Sequence, residues 1–510
     1  GPLKDKAGNM TNLLLGPAGL PDAVAVPVDQ LHDPDWNNFG PQVGFAWSPN
    51  MDKIPYWPEK EFVLRGGFGI GYNRLPNTVF LNARGNPPFL SRYNICCGTA
   101  PGEFGSPYVG GQILYTTGSG LLGYPANPVL AGGIDPATGL PAVGKVEFYG
   151  SPQDQDNGEV YRWSLEGQQE LPWNLVATLG YQGSSSRHLV RIIRLENVVP
   201  VANEHLFATY FPTPDVNANY HAMNARLQRR FSNGFQFDAV YRWSKSLDQL
   251  SYEGPGAPTN QTYPLDNKTE WGPSDFDVRH NWTISGIYEL PFYRKQDTWV
   301  GKILGGWQVS GIWTRHTGYP WTPKIDAQLR SESGEFYGPV RPIAYIGPAQ
   351  DGNGNSSFLR AGGAFPNAGP SVQVPGTCLY RNNYFILSVL PVRSDPTMCQ
   401  SGPFPGDPSN LLNVPGIGRN VFRGPKYSSI DMSVSKTFGI PYLTEGAGLD
   451  LRFNFFNLFN NLNLTGFGFF DNGTFAGRGD RFNPVSNQQF GEPSGALAGR
   501  VIEFQARFSF

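Results

Sequence analysis

The chain has 510 residues, a formal net charge of −2, 14% aromatic residues and only 16% charged ones, where a charged share of about 25% is usual. Near-neutrality leaves no electrostatic case for a nucleic-acid partner or an anionic membrane surface, and the aromatic content argues against a disordered chain. No run of about 18 apolar residues is present, so no transmembrane helix is expected.

Residues 1–36 show no sustained period and are expected to form an irregular segment, a loop between barrel strands. Gly1 to Lys6 lacks the apolar stretch of a signal peptide. From Gln42 onward the sequence alternates in twos, the period of a strand with one apolar and one polar face. Val43, Phe45 and Trp47 share a face, as do Phe62, Leu64, Phe68, Ile70 and Tyr72. Segments starting near Tyr161 and Leu175 follow the same rule. Met223, Ala225, Leu227 and Phe231 then alternate with Asn224, Arg226, Gln228 and Arg230. Ser232-Asn233-Gly234 signals a tight hairpin turn. After it Phe235, Phe237, Ala239, Tyr241 and Trp243 oppose Gln236, Asp238 and Arg242. Further strands centre on Ile284, Val309, Val434 and Phe453. The last one, Arg500 to Phe510, places Ile502, Phe504, Ala506, Phe508 and Phe510 on one face. The chain thus reads as roughly eleven strands, most near the 9–11 residues that a tilted membrane strand needs.

The links between strands alternate strictly in length. Short ones, such as 171–174 and 232–234, fall at one end; long ones, at 73–158, 184–219, 246–280, 317–426 and 460–499, fall at the other. An outer-membrane barrel has short periplasmic turns and long extracellular loops, whereas a soluble sandwich has no reason for that order. The fold class expected is all-β: an antiparallel transmembrane barrel occupying 37–510. Trp173, Phe292, Tyr293, Trp299 and Tyr442 then mark the inner interface, and Tyr161, Trp243 and Trp313 the outer one. Arg226, Arg230, Asp238 and Arg242 should face the lumen, where they pair with one another, hold a plug or touch a substrate. All four cysteines fall in outward loops; Cys378 and Cys399 are disulfide candidates, and the state of Cys96 and Cys97 is left open.

The remaining motifs have bland readings. Asp351-Gly-Asn-Gly-Asn355 begins like a calcium loop, but Gly362 stands where the bidentate Glu belongs. Gly66-Gly-Phe-Gly-Ile-Gly71 lies inside a strand, where glycine eases curvature. Asp275, Asp277, His280 and Glu289 are near in sequence, and loop anchoring by Asp277 and His280 explains them better than acid–base chemistry. No cofactor, metal site or enzyme activity is expected.

Several stretches resemble the barrel of Oar-like TonB-dependent receptors. They are Asn37 to Pro49 with Leu64 to Tyr72, Leu179 to Ser184 with Arg187 to Leu189, Tyr241 to Ser246, Phe276 to His280, Phe456 to Asn460 and the terminal Phe510. The resemblance implies an outer-membrane importer of an unidentified ligand, with outer-membrane lipid and the TonB complex as partners. It also implies that Phe508 and Phe510 belong to a signal read by the barrel-assembly machinery. These receptors have about 22 strands and an N-terminal plug, so the chain is expected to be the C-terminal half of a barrel that does not close alone. Two other readings stay open: a secreted or surface adhesion protein of soluble β-sandwiches, and a plug-less porin.

Overall fold

The computed structural model describes residues 10–49, 61–73, 133–142, 146–195, 203–251, 267–293, 298–322, 417–440, 447–465 and 495–510. Shorter described pieces are 83, 86, 108–109, 112–113, 324–330, 336–341, 344–346, 372–375, 379–381, 385–388, 391–392, 395–399 and 481–482. In chain order the principal elements are β1 (Met10–Gly16), β2 (Gly19–Val28), β3 (Gln42–Trp47), β4 (Phe62–Asn73), β5 (Val146–Tyr149), β6 (Gly158–Leu171) and β7 (Leu175–Arg194). They continue with β8 (Leu206–Ser232), β9 (Phe235–Asp248), β10 (His280–Glu289), helix α1 (Trp299–Leu304), β11 (Trp307–His316), β12 (Tyr427–Gly439), β13 (Gly448–Phe456) and β14 (Val501–Ser509).

Eleven of these strands, β3, β4 and β6 to β14, make one antiparallel meander in which each strand pairs with the next. The register keeps the two faces of the pattern apart. Phe237 stands opposite Gly286, Gly286 opposite Gly311, then Met432, Phe455 and Ile502 follow, one row across six strands. One residue along, Asp238, Ser285, Ile312 and Asp431 form a row on the other face. Because side chains alternate, a slip of one residue would turn the whole apolar set inward. The polar face is not uniform, since Val240, Ile287 and Ile312 also lie on it.

Turn chemistry fixes the short ends. Asn233 and Gly234 both have positive φ, 55° and 80°, the combination that matches the twist of a two-residue hairpin. Trp173 and Asn174 do the same at 63° and 61°, and Trp173 is 80% exposed at that tip. At two positions glycine makes room for a ring on the adjacent strand. A Cβ on Gly66 would meet the Phe45 ring at 2.4 Å, and one on Gly183 the Trp163 ring at 2.5 Å. These strand glycines therefore serve ring packing, a role beyond the curvature expected of Gly66.

The sheet does not close. β3 and β14 are its two ends, and with an odd number of alternating strands they run in the same direction. Joining them would require a parallel seam in an otherwise antiparallel sheet. The sandwich alternative fails on exposure: Phe45, Phe68, Trp243 and Phe504 are 52%, 45%, 51% and 61% exposed. Among the described residues no second sheet covers them.

Two expectations need correction at the outer end. The segment 184–219 is mostly strand, because β7 runs on to Arg194 and β8 begins at Leu206, leaving only 195–205 as a link. Residues 1–36 are not wholly irregular, because β1 and β2 form a hairpin. Both deviations have one cause. Leu13, Leu20, Ala23, Leu140, Phe148, Leu206 and Phe211 pack into a buried apolar cluster beyond the barrel wall, so the extended strands meet protein on a face that would otherwise meet water. β5 adds a parallel strand to the start of β8 in the same knob. Asparagines staple it: Asn12 Nδ2 donates to the Ser151 carbonyl (2.8 Å) while its Oδ1 accepts from Ser151 N (2.9 Å). Asn86 makes the same paired contact with Tyr149, at 2.8 and 2.9 Å.

Candidate functional site: the charged inner face and the loop latch

On the polar face, alternation places Arg226 on β8 and Asp238 on β9 two register positions apart, as a diagonal pair. Arg226 Nε and Nη2 donate to the two Asp238 carboxylate oxygens at 2.8 and 2.7 Å, a bidentate pair. Arg242 Nε donates to Asn224 Oδ1 at 2.8 Å, and Arg230 Nη2 lies 3.8 Å from Glu170. Arg65 extends the ladder toward β3, 3.8 Å from Glu166 and donating to Gln168 at 3.4 Å. The four residues singled out from sequence thus share a face, but only Arg226 and Asp238 pair with each other. The Arg226 side chain is 49% exposed and that of Arg230 69%. Pairs this exposed contribute little to stability.

At the outer ends of β9 to β11 the polar groups are buried instead. Asp277 is 1% exposed; its Oδ1 accepts from Ser246 N at 2.6 Å. Arg423 reaches it twice, with Nη1 donating to the Asp277 carbonyl at 2.6 Å and Nη2 closing on Oδ2. Arg419 bridges the Asp248 carboxylate, Asp275 and the Glu270 carbonyl. Asn420 N donates to Thr322 Oγ1 at 2.7 Å and its Nδ2 to the Pro273 carbonyl at 2.8 Å. Arg341 Nη2 donates to Glu270 Oε1 at 2.7 Å, with both side chains almost fully buried; burial lowers the Arg341 pKa, against the pull of Glu270. Trp321 and Phe422 pack beside the network, ring centroids 5.3 Å apart.

This arrangement latches the ends of the links 249–279 and 317–426 onto the strand tops. Asp277 anchors a loop, as expected. His280 is separate, its Nδ1 lying 2.8 Å from the Tyr241 hydroxyl, and Glu289 sits at the opposite end of β10. Asp275, Asp277, His280 and Glu289 therefore form no acid–base constellation. Sequence reasoning missed Arg419, Arg423, Arg341 and Glu270. The only available signal was the placement of arginines beside Phe422 in a Gly- and Asn-rich stretch.

Phe508 and Phe510 lie on the apolar face, 48% and 91% exposed. Trp173, Phe292, Tyr293 and Trp299 are exposed at the inner end as expected, between 56% and 80%. Tyr442, Asp351 to Asn355, Cys96, Cys97 and Cys378 lie outside the described residues, as does the side chain of Cys399. Among the described residues no group of three metal-ligating side chains converges.

A search of curated proteins finds no match. Among solved structures, the outer membrane transporter YddB from Escherichia coli is 8% identical with a TM-score of 0.39, covering 88% of this chain and 38% of that one. The FrpB iron transporter from Neisseria meningitidis is 9% identical with a TM-score of 0.35, covering 94% and 39%. The ferric enterobactin receptor of Pseudomonas aeruginosa is 11% identical with a TM-score of 0.33, covering 92% and 40%. The chain thus spans less than half the length of each of these structures. The family model described as outer membrane beta barrel domain matches residues 1–503. With eleven alternating strands, a lipid-type outer face and that match over nearly its whole length, the chain belongs to the outer membrane beta barrel domain family and resides in the outer membrane.

Proposed function

We propose that the chain is the C-terminal barrel portion of a TonB-dependent, Oar-like receptor that takes up a ligand across the outer membrane. The observation that carries this reading is the pairing of a wet, charged inner face with loop ends latched at its outer mouth. Such a mouth captures a ligand. The inner face, through Arg226, Arg230, Asp238 and Arg242, holds a plug that moves when the inner-membrane TonB complex pulls on it. Because the two sheet edges run in the same direction, antiparallel closure takes an odd number of further strands. We assign these, with the plug and the TonB-contacting segment, to the rest of a longer polypeptide. Phe508 and Phe510 act in recognition by the barrel-assembly machinery, and Cys378 and Cys399 pair in the outer loop.

A plug-less porin is the reading that the open inner face also favours. Conductance of the full-length protein in planar bilayers separates the two. The receptor reading expects a silent protein that conducts only when urea loosens the plug. A steady open channel from the first insertion means a porin and contradicts the receptor. Capture of the full-length protein by the purified periplasmic domain of its own organism's TonB tests the energised step, and absence of binding contradicts it.

A further inference from the structure

Lys436 of β12 stands opposite Trp307 of β11 and Leu451 of β13. Those neighbours, with Val434 and Phe438 two places along its own strand, belong to the apolar, lipid-facing side. A lysine there is costly unless its charge is satisfied. Lys436 is nevertheless only 2% exposed. Its Nζ donates to the backbone carbonyls of Lys302 (2.5 Å), Ile303 (3.0 Å) and Gly305. These are carbonyls that the last turn of α1 and its cap leave without helical partners, at the negative end of the helix dipole. The ammonium also sits over the Trp307 and Phe438 rings, 5.6 and 4.6 Å from their centroids.

The direction of this side chain locates the helix. Lys436 leaves the sheet on its apolar side, so α1 lies against the outside of the barrel wall. It does not lie beneath the rim or in the lumen. The helix turns its buried Gly301 inward, while Trp299, Ile303 and Leu304 are 76%, 53% and 52% exposed. Trp307 Nε1 adds a second tie, donating to the Ile303 carbonyl at 3.0 Å. An aliphatic and aromatic surface turned away from the protein has no stable environment in water. Here it continues the lipid-facing side of the sheet and lies near the exposed Phe292 and Tyr293.

We propose that α1 is an interfacial foot on the outside of the barrel, lying in the headgroup–acyl boundary of the inner leaflet's phospholipids and tethered there by Lys436. Trp299, Ile303 and Leu304 enter the boundary, and Lys436 satisfies the helix end that the bilayer would otherwise desolvate. This rests on membership of the outer-membrane barrel family and is independent of the transport reading.

The test uses the full-length protein, its native cysteines replaced by serine, in phosphatidylethanolamine/phosphatidylglycerol vesicles. A nitroxide on Ile303→Cys is probed by collision with oxygen and with a water-soluble nickel chelate. Oxygen access should dominate, at a depth of about 5–10 Å below the headgroup boundary. A label open to nickel overturns the proposal, and a label closed to both reagents overturns it in favour of a protein covering the helix. In the Lys436→Met background, nickel access should rise several-fold while heat-modifiable migration of the barrel stays unchanged. An unchanged label depth in that folded variant overturns the tether.

Discussion

Arg226 and Asp238 meet diagonally across the β8–β9 hairpin as a bidentate pair, 2.8 and 2.7 Å between the donor and acceptor atoms. Their burial sets their worth. With side chains 49% and 37% exposed, the pair is solvated, and a coupling of about 0.2–1 kcal/mol is expected from a double-mutant cycle. Arg226→Ala, Asp238→Ala and the double variant of the full-length protein, unfolded by urea in lipid, measure it. A coupling of about 3 kcal/mol or more belongs to a buried pair and would show that this face is dry.

Depth in the bilayer distinguishes two phenylalanines of β14. Phe504 lies mid-strand opposite Phe453, with ring centroids 4.9 Å apart, while Phe508 is close to the inner rim. Phe504→Lys should cost about 2–4 kcal/mol and Phe508→Lys about 0–1 kcal/mol. Equilibrium unfolding of the two variants checks the order, and a reversed order contradicts the assigned depth.

Arg423 and Asp277 form the buried core of the loop latch. Arg423→Met removes the nearest cation and leaves the buried Asp277 carboxylate with Arg279 at 3.9 Å and the Ser246 amide. The cost should therefore be at most the about 3–5 kcal/mol of a fully broken buried pair. The effect should be local. Hydrogen exchange at Gly272 to His280 and protease cleavage in 249–279 should rise, with the strands of the barrel wall unchanged. Asp277→Asn combined with Arg423→Met should recover much of the loss. Unchanged exchange in the single variant would mean that the latch holds without this pair.

Asp35 gives the link from β2 to β3 a pH dependence. Partial burial raises its pKa, but hydrogen bonds from Asn157, Asn37 and Asn38 outweigh this and hold it below the ordinary carboxylate value. A depressed folded pKa means that the stabilisation is complete above the unfolded value of about 3.9 and is lost as pH falls through the lower folded value. Acidification should therefore release this link from Asn157, to which Asp35 Oδ2 bonds at 3.2 and 3.0 Å. Fluorescence of a variant retaining Trp36 as its only tryptophan should change in that window. Asp35→Asn should abolish the transition.

The legible part of the chain is the part immersed in lipid and lumen water. From Gln42 to Trp47, Met223 to Trp243 and Ile502 to Phe508, each residue faces one of two solvents, so the environment writes a period of two into the sequence. Outside the membrane that constraint lapses. Ile192 and Phe211 are buried in the knob beside Arg191 and Arg194, and there apolar and charged residues no longer alternate by face. The extensions of β7 and β8 and the β1–β2 hairpin were invisible for that reason. The latch was hidden differently: Arg419 and Arg423 are more than 100 residues from their carboxylates, and only the fold brings them together. Helix α1 is too short at Trp299–Leu304 for a helical period to show, and the alternation that puts Lys436 in line with Val434 and Phe438 gives no sign of the helix-end carbonyls that satisfy it.

The central claim is that the sheet is a barrel wall with lipid on its apolar face and water on its polar face. Nitroxide scanning of β14 in the full-length protein, reconstituted in lipid vesicles, tests it most directly. Labels at Ile502, Phe504, Ala506 and Phe508 should collide with oxygen, and labels at Val501, Glu503, Gln505 and Arg507 with the aqueous nickel chelate, in strict alternation. A strand whose labels show no period of two, or whose apolar positions are closed to oxygen, contradicts the account.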